Sequence, residues 1–294
     1  MNLPDRILNH LSQVVERPDL SASRYEMIDR IGRGGMSTVY RVRDSELERE
    51  VALKVIDAPA DNRGQPLQEA RLVASLEHPG IVTVHDAGVL PDGRPFCVMQ
   101  LVEGVALDRF LEHRPGLSER LSVFEKLCEA VAFAHSRGVI HRDLKPSNVM
   151  VGSFGRVVVL DWGIALRNNA PLPGGIAGTW QYMSPEQREG GAPDERGDIY
   201  SLGVLLKEML PANAPRPLRA IAAKASADDR NTRYCTVDEI MRDIRRFRDR
   251  LPVSAYRENP WEALARYAVR NRVLLLLVLA YVLVRILLFF ARPH

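Results

Sequence analysis

The stretch His141-Arg-Asp-Leu-Lys-Pro-Ser-Asn148 brings three different polar chemistries within eight residues. Asp143 can accept the proton of a hydroxyl group. Lys145, two residues on, can neutralise negative charge on a group in transfer. Asn148 offers an amide oxygen to a hard cation such as Mg²⁺. Asp161, opening Asp161-Trp-Gly163, follows at a spacing that lets a second oxygen reach the same ion. Upstream, Ile31-Gly-Arg-Gly-Gly-Met-Ser-Thr-Val39 reads as a glycine-rich turn between two strands. Glycines let a backbone come close to a phosphate and aim amide hydrogens at it, although Gly-rich hairpins are common without that role. Lys54, in Val51-Ala-Leu-Lys54, lies on the next strand. A lone lysine is usually a surface residue; one turned inward needs an anionic partner, because an isolated buried ammonium is costly. Glu69 can be that partner, and a phosphate can be another.

These residues need elements to position them. Between Tyr25 and Met99 short runs of β-formers such as Val39-Tyr-Arg-Val-Arg and Val51-Ala-Leu-Lys-Val-Ile are bounded by turn residues. One helix interrupts them, near Leu67–Leu76, and His78-Pro79-Gly80 stops it. From Leu107 to Phe247 helical periodicity dominates, broken by loops near 141–148 and 161–186. The pattern predicts an α+β chain with a small β-rich lobe before a larger helical one. Ahead of both, Ile7, Leu8, Leu11, Val14 and Val15 are spaced for a short amphipathic helix over Pro4–Glu16.

The 294 residues, 46% hydrophobic and 26% charged, are ordinary for a folded protein and argue against disorder. Cys97, Cys128 and Cys235 form no CxxC pair, which argues against a structural zinc site or a disulfide framework. The N-terminus has no apolar run behind a basic start, so no signal peptide is expected. The charge of +3 is unevenly spread. Nine arginines face four acids between Met241 and Arg272, and Val273–Ala291 then holds a single charge, Arg285. Nineteen such residues make a helix of about 28 Å, close to a bilayer core. A basic collar beside that run points to a membrane surface rather than to nucleic acid. The expectation is a transmembrane helix over 273–291 with the lobes on the cytoplasmic side. Only three residues follow Ala291, so no sensor domain is expected beyond the span.

Taken together, these motifs resemble the protein kinase family, and the run Gly-Gly-Met-Ser with Ser-Pro-Glu-Gln is most similar to its bacterial Ser/Thr members. The resemblance implies a two-lobed kinase domain over 25–250, with an N-lobe at 25–99, a hinge at 100–104 and a C-lobe at 105–250. Residues 1–24 would be a helix and linker, and 251–272 a basic juxtamembrane segment. It implies ATP and Mg²⁺, with Mn²⁺ as an alternative metal. The catalytic set would be Asp143, Lys145, Lys54 and Glu69, and the metal ligands Asn148 and Asp161. Nucleotide would touch Ile31, Gly32, Arg33, Gly34, Gly35, Met36, Ser37, Thr38 and Val39, then Ala52, Lys54, Gln100, Val102 and Met150. Met99 would be the gatekeeper. Glu186 of Ser184-Pro-Glu186 would pair with Arg233, Asp198 would anchor the catalytic loop, and Thr179 would contact Asp143 and Lys145. His141 would pack within the loop rather than act as a base. Partners would be protein substrates, the membrane, a counteracting phosphatase and a second copy of the chain. Its location would be the bacterial inner membrane, as a single-pass protein.

Four departures stand out. Trp162 replaces the usual Phe and Ser184 the usual Ala. Leu210-Pro-Ala-Asn-Ala-Pro-Arg-Pro217 joins two helices where the family usually inserts another. Between Asp161 and Gly178 there is no hydroxyl residue. A tethered pseudokinase is the alternative function, opposed by the complete set of polar residues.

Overall fold

The computed structural model describes residues 17–34, 37–57, 64–162, 166–167 and 178–290. The helix expected at Pro4–Glu16, Gly35 and Met36 of the glycine turn, and most of the stretch 163–177 lie outside the described residues.

Five strands form the first sheet: β1 (Tyr25–Arg33), β2 (Ser37–Asp44), β3 (Arg49–Ile56), β4 (Val84–Val89) and β5 (Pro95–Gln100). Their spatial order is β1-β2-β3-β5-β4, every neighbour antiparallel. Alternation divides the sheet into two faces. Tyr40, Val42, Val51, Leu53, Val55 and Val98 bury one face with Tyr25 and Leu90. The register sets Val39 opposite Lys54, Lys54 opposite Cys97 and Ala52 opposite Met99, so these five share the other face. A helix, α1 (Gly64–Ala74), packs across that side.

The second lobe is built on α2 (Leu107–Glu112), α3 (Leu117–Ser136), α4 (Pro185–Arg188), α5 (Glu195–Met209), α6 (Arg216–Ala225) and α7 (Val237–Arg248). Phe124, Leu127 and Val131 of α3 meet Ile199, Leu202 and Leu206 of α5, with Ile221 of α6 and Ile244 of α7 in the same core. Short strands β6 (Val105–Ala106), β8 (Val149–Val151) and β9 (Val157–Val159) make a three-stranded sheet beside this core, and β7 (Val139–Ile140) pairs with β10 (Leu166–Arg167). Gly203 lets α5 and α6 cross closely: a Cβ there would stand 2.5 Å from the Ser226 backbone nitrogen. The lobes share apolar material, since Val73 of α1 and Leu76, just beyond it, belong to the helical core. They also share backbone bonds, Val82 N to Val159 O at 3.1 Å and Val159 N to Gly80 O at 2.8 Å.

The link from α5 to α6 is one turn, closed by Ala214 N donating to Pro211 O at 2.9 Å. The expected absence of an inserted helix is therefore what the chain adopts. After α7 the chain is pinned to Asp243, which accepts from Tyr234 Oη (2.8 Å), Ser254 N (2.8 Å) and Ser254 Oγ (2.7 Å). Residues 251–272 were expected as a basic juxtamembrane segment. They contain a helix, α8 (Pro260–Arg270), started by a capping box between Asn259 and Glu262 with Pro260 in the first turn. The last element is α9 (Arg272–Phe290). Among the described residues no single helix is long and apolar enough to cross a membrane. The pair Pro260–Arg270 and Leu275–Ile286 passes together by length and composition, bent by 82°.

Candidate active site

The segment between β7 and β8 carries the polar groups, and a buried carboxylate shapes it. Asp198, on α5, is fully buried. Its Oδ1 accepts from Arg142 N at 2.8 Å, and its Oδ2 from His141 N at 2.8 Å and His135 Nε2 at 2.8 Å. Burial alone would raise its pKa. The hydrogen bond and charge of His135, with His141, outweigh burial and hold the carboxyl below its ordinary value. With its amide so held, Arg142 adopts φ +69°, a left-handed conformation that a non-glycine residue keeps only when its surroundings impose it. Gln187 fastens the other side, its Nε2 donating to Arg142 O at 2.9 Å.

His141 is buried, and both its nitrogens are engaged. Nδ1 accepts from Asp143 N at 3.2 Å, and Nε2 donates to Leu160 O at 3.0 Å. Burial lowers its pKa, so the ring is neutral. It packs on Trp162 at 4.5 Å between ring centroids. Trp162 is buried, its Nε1 donating to Val159 O at 3.2 Å. The larger ring at this position thus fits behind Asp161, as expected.

Asp143 is the hub. Lys145 Nζ reaches its Oδ2 at 2.6 Å and donates to Thr179 Oγ1 at 2.8 Å. Thr179 N donates to Asp143 Oδ1 at 2.7 Å. Asn148 Nδ2 donates to Asp143 O at 2.9 Å, which turns its amide oxygen the other way. Gly178, at φ +124°, admits the chain here: a Cβ would stand 3.0 Å from Arg142 O.

Across the cleft, Lys54 pairs with Asp161. Burial would raise the Asp161 carboxyl; the charge and hydrogen bond of Lys54 outweigh it and lower the pKa. Asp161 too is left-handed, at φ +55°. Lys54, Glu69, Met99, Cys97, Asp161 and Trp162 line one cavity between the sheet, α1 and the second lobe. Glu69 therefore lies where it was expected, while the ion pair that Lys54 makes is with Asp161. Val39 and Ala52 share the sheet face of Lys54, and Met150 lies half-buried on β8. Gln100 begins the crossing between lobes, its N donating to Thr83 O at 2.9 Å, and Val102 follows half-buried. Of the glycine turn, Ile31 is exposed and Arg33 ends β1; Gly34 N donates to Ser37 O at 2.7 Å, and Thr38 pairs with Arg33. A Cβ at Gly32 would meet only Val39 Cβ at 3.8 Å, an ordinary contact, so hairpin packing does not itself require glycine there.

Farther out, the Arg233 side chain is fully buried and grips Glu186 through two bonds, 2.6 and 2.8 Å, as the sequence pattern suggests. Gln187 went unassigned in the sequence, and His135 is read there only as structural or solvated. Neither stands at a spacing that announces its partner.

Comparison with known proteins agrees with this geometry. Residues 25–254 match the protein kinase domain, ending just past the boundary expected at 250. The chain is 34% identical over 287 aligned residues to serine/threonine-protein kinase PknD of Chlamydia felis, covering 75% of this chain and 30% of that protein. It is 40% identical over 215 residues to serine/threonine-protein kinase PknB of Mycobacterium tuberculosis, covering 67% of this chain and 34% of that protein. The chain thus spans about a third of the length of these relatives. The match takes in both lobes and every residue of the Asp143 network, and on that ground the chain belongs to the protein kinase family.

Proposed function

We propose that this chain is a Ser/Thr protein kinase, moving the γ-phosphoryl group of ATP to a hydroxyl of a protein substrate. The observation that carries the reading is the Asp143 hub, with Lys145 and Thr179 on its carboxylate and Asn148 on its backbone oxygen. Asp143 would accept the proton of the incoming hydroxyl. Lys145, already at the carboxylate, would neutralise charge on the group in transfer. Lys54 would leave Asp161 for the phosphates and take Glu69 as its partner.

The residues fit a nucleotide and a hard cation. Among the described residues no three His, Cys, Asp or Glu side chains make a closed metal site. Mg²⁺ does not need one, because it binds through one or two protein oxygens and the phosphates themselves. Asn148 and Asp161 are those oxygens in this reading. Bound Mg²⁺–ATP would supply the phosphoryl group and neutralise its developing charge. Gly32, which the hairpin does not require, leaves the backbone open to phosphate. Ile31, Val39, Ala52, Met150 and the backbone of Gln100–Val102 would hold the base. The test is phosphoryl transfer from labelled ATP to a generic protein acceptor. Asp143→Asn should abolish transfer with nucleotide binding nearly intact, and Lys54→Met should lose transfer through misplaced phosphates. Equal activity of Asp143→Asn and the unmodified chain would refute the enzyme.

The same proposal ties the chain to a membrane. Support comes from the apolar run Val273–Ala291, the exposure of Leu275–Ile286 on all sides and the arginines that precede them. By the positive-inside rule both lobes face the cytoplasm. Removing residues 273–294 should release the protein from membranes; retention after a high-salt wash would put the anchor elsewhere.

A further inference from the structure

A helix on a protein surface normally turns its apolar stripe inward and its charges to water. Helix α8 does the reverse. Its docked side is polar: Glu262 accepts from Tyr256 Oη at 3.0 Å and from Arg216 at 3.1 Å. One turn on, Arg266 Nε donates to Glu258 at 2.9 Å, and its Nη1 donates to Arg250 O at 3.3 Å. Glu262 and Arg266 are four residues apart and so lie on one side. The large apolar residues Trp261 (80%), Leu264 (58%) and Tyr267 (51%) lie off that side and are exposed. A helix held by its charges and showing its apolar residues outward has its second contact outside the chain.

Three observations say what that contact is. The apolar surface of α8 runs into α9, whose residues Leu275–Ile286 are exposed on every side. The two helices meet at 82°, so with α9 along a bilayer normal α8 lies close to the bilayer plane. Their junction is the basic sequence Arg270-Asn-Arg272, with Arg270 exposed, at the level where anionic headgroups would sit. Trp and Tyr are the residues that favour this boundary, with an apolar body and a polar tip.

We infer that α8 is an interfacial helix: it lies in the headgroup boundary of a lipid bilayer, with Trp261 and Leu264 dipping toward the acyl chains. The inference rests on the membrane reading of α9 and adds an orientation to it. Because Glu262 and Arg266 fasten α8 to Arg216 of α6 and to the Arg250 carbonyl, the helix fixes how the helical lobe faces the lipid. The kinase then rides in a set pose rather than swinging on a tether.

The experiment uses the full chain reconstituted into vesicles of phosphatidylcholine and phosphatidylglycerol, beside vesicles whose acyl chains carry bromine near the headgroup. The fluorescence of Trp261 is read as the difference between the unmodified chain and Trp261→Phe, a conservative change at an exposed position. Bromolipid should quench that difference by about two-fold, since an interfacial ring sits roughly 5–10 Å into the boundary. Leu264→Glu should keep the chain on the vesicles through α9 and remove most of the quenching. A chain that floats with vesicles while Trp261 stays unquenched and accessible to aqueous iodide would overturn the inference and leave the anchor standing. A Trp261 shielded from both bromine and iodide would assign the face to a second copy and overturn it as well. Failure of the full chain to float would overturn the anchor and the inference together.

Discussion

Replacing Asp198 by Asn isolates what holds the catalytic loop. The carboxylate accepts three bonds, one at Oδ1 and two at Oδ2, each of 2.8 Å. An amide has one oxygen. Its best orientation keeps that oxygen on His141 N and His135 Nε2 and sets its own N–H against the N–H of Arg142. A buried donor is then orphaned, at a cost of about 1–3 kcal/mol. The two surviving bonds lose their charge, and charge-assisted bonds are roughly twice as strong as neutral ones. A total near 3 kcal/mol follows, which lowers the thermal midpoint of a domain of this size by about 10 °C. Thermal unfolding followed by tryptophan fluorescence measures it. The loss must also depend on pH. The folded carboxyl has a depressed pKa, so its contribution is complete above the ordinary carboxylate range and fades as pH falls through the folded value. The gap between the two proteins should narrow as pH falls below about pH 4. A loss under about 1 kcal/mol, or one that does not narrow in acid, would refute the assignment of loop geometry to this carboxylate.

Gly203→Ala would drive a methyl group into the Ser226 backbone and spread α5 from α6. Overpacking of this kind costs about 1–3 kcal/mol, read as a lower denaturation midpoint, with Ser201→Ala on the same helix as comparison. Arg233→Met leaves Glu186 half-buried without its bidentate partner and should cost about 3 kcal/mol; the double variant with Glu186→Gln should recover part of that, and a double-mutant cycle measures the coupling. The stretch Ile164–Ala177 has no hydroxyl, so phosphatase treatment of the purified chain should leave its initial rate unchanged. A fall in rate reversed by rephosphorylation would refute this.

The polar centre was legible because its residues are close in sequence and their chemistry is specific. Asp143, Lys145 and Asn148 meet within one loop, and Thr179, Glu186, Asp198 and Arg233 carry enough local pattern to be matched across long gaps. What escaped was pairing that only the tertiary fold decides. His135 meets Asp198 because α3 and α5 lie side by side, and no spacing between positions 135 and 198 announces it. The partner of Lys54 depends on where Asp161 turns at φ +55°, which composition does not encode. Helix α8 lies within the segment expected as basic and juxtamembrane; Asn259-Pro-Trp-Glu262 is a readable start signal, although the charge of the arginines around it drew the attention first.

The commitments of His141 set a limit on how acid reaches this cleft. The ring already spends its one hydrogen on Leu160 and its one lone pair on the Asp143 amide. A second proton would have to replace that lone pair, turning an attraction into two N–H groups facing one another in a buried place. Imidazole is thus a neutral spacer between the loop of Asp143 and the segment that runs from β9 to Asp161, and it keeps their separation constant through the range in which free histidines gain charge. His141 should therefore contribute no inflection near the ordinary histidine value of about 6.5 to the acid limb of a rate profile.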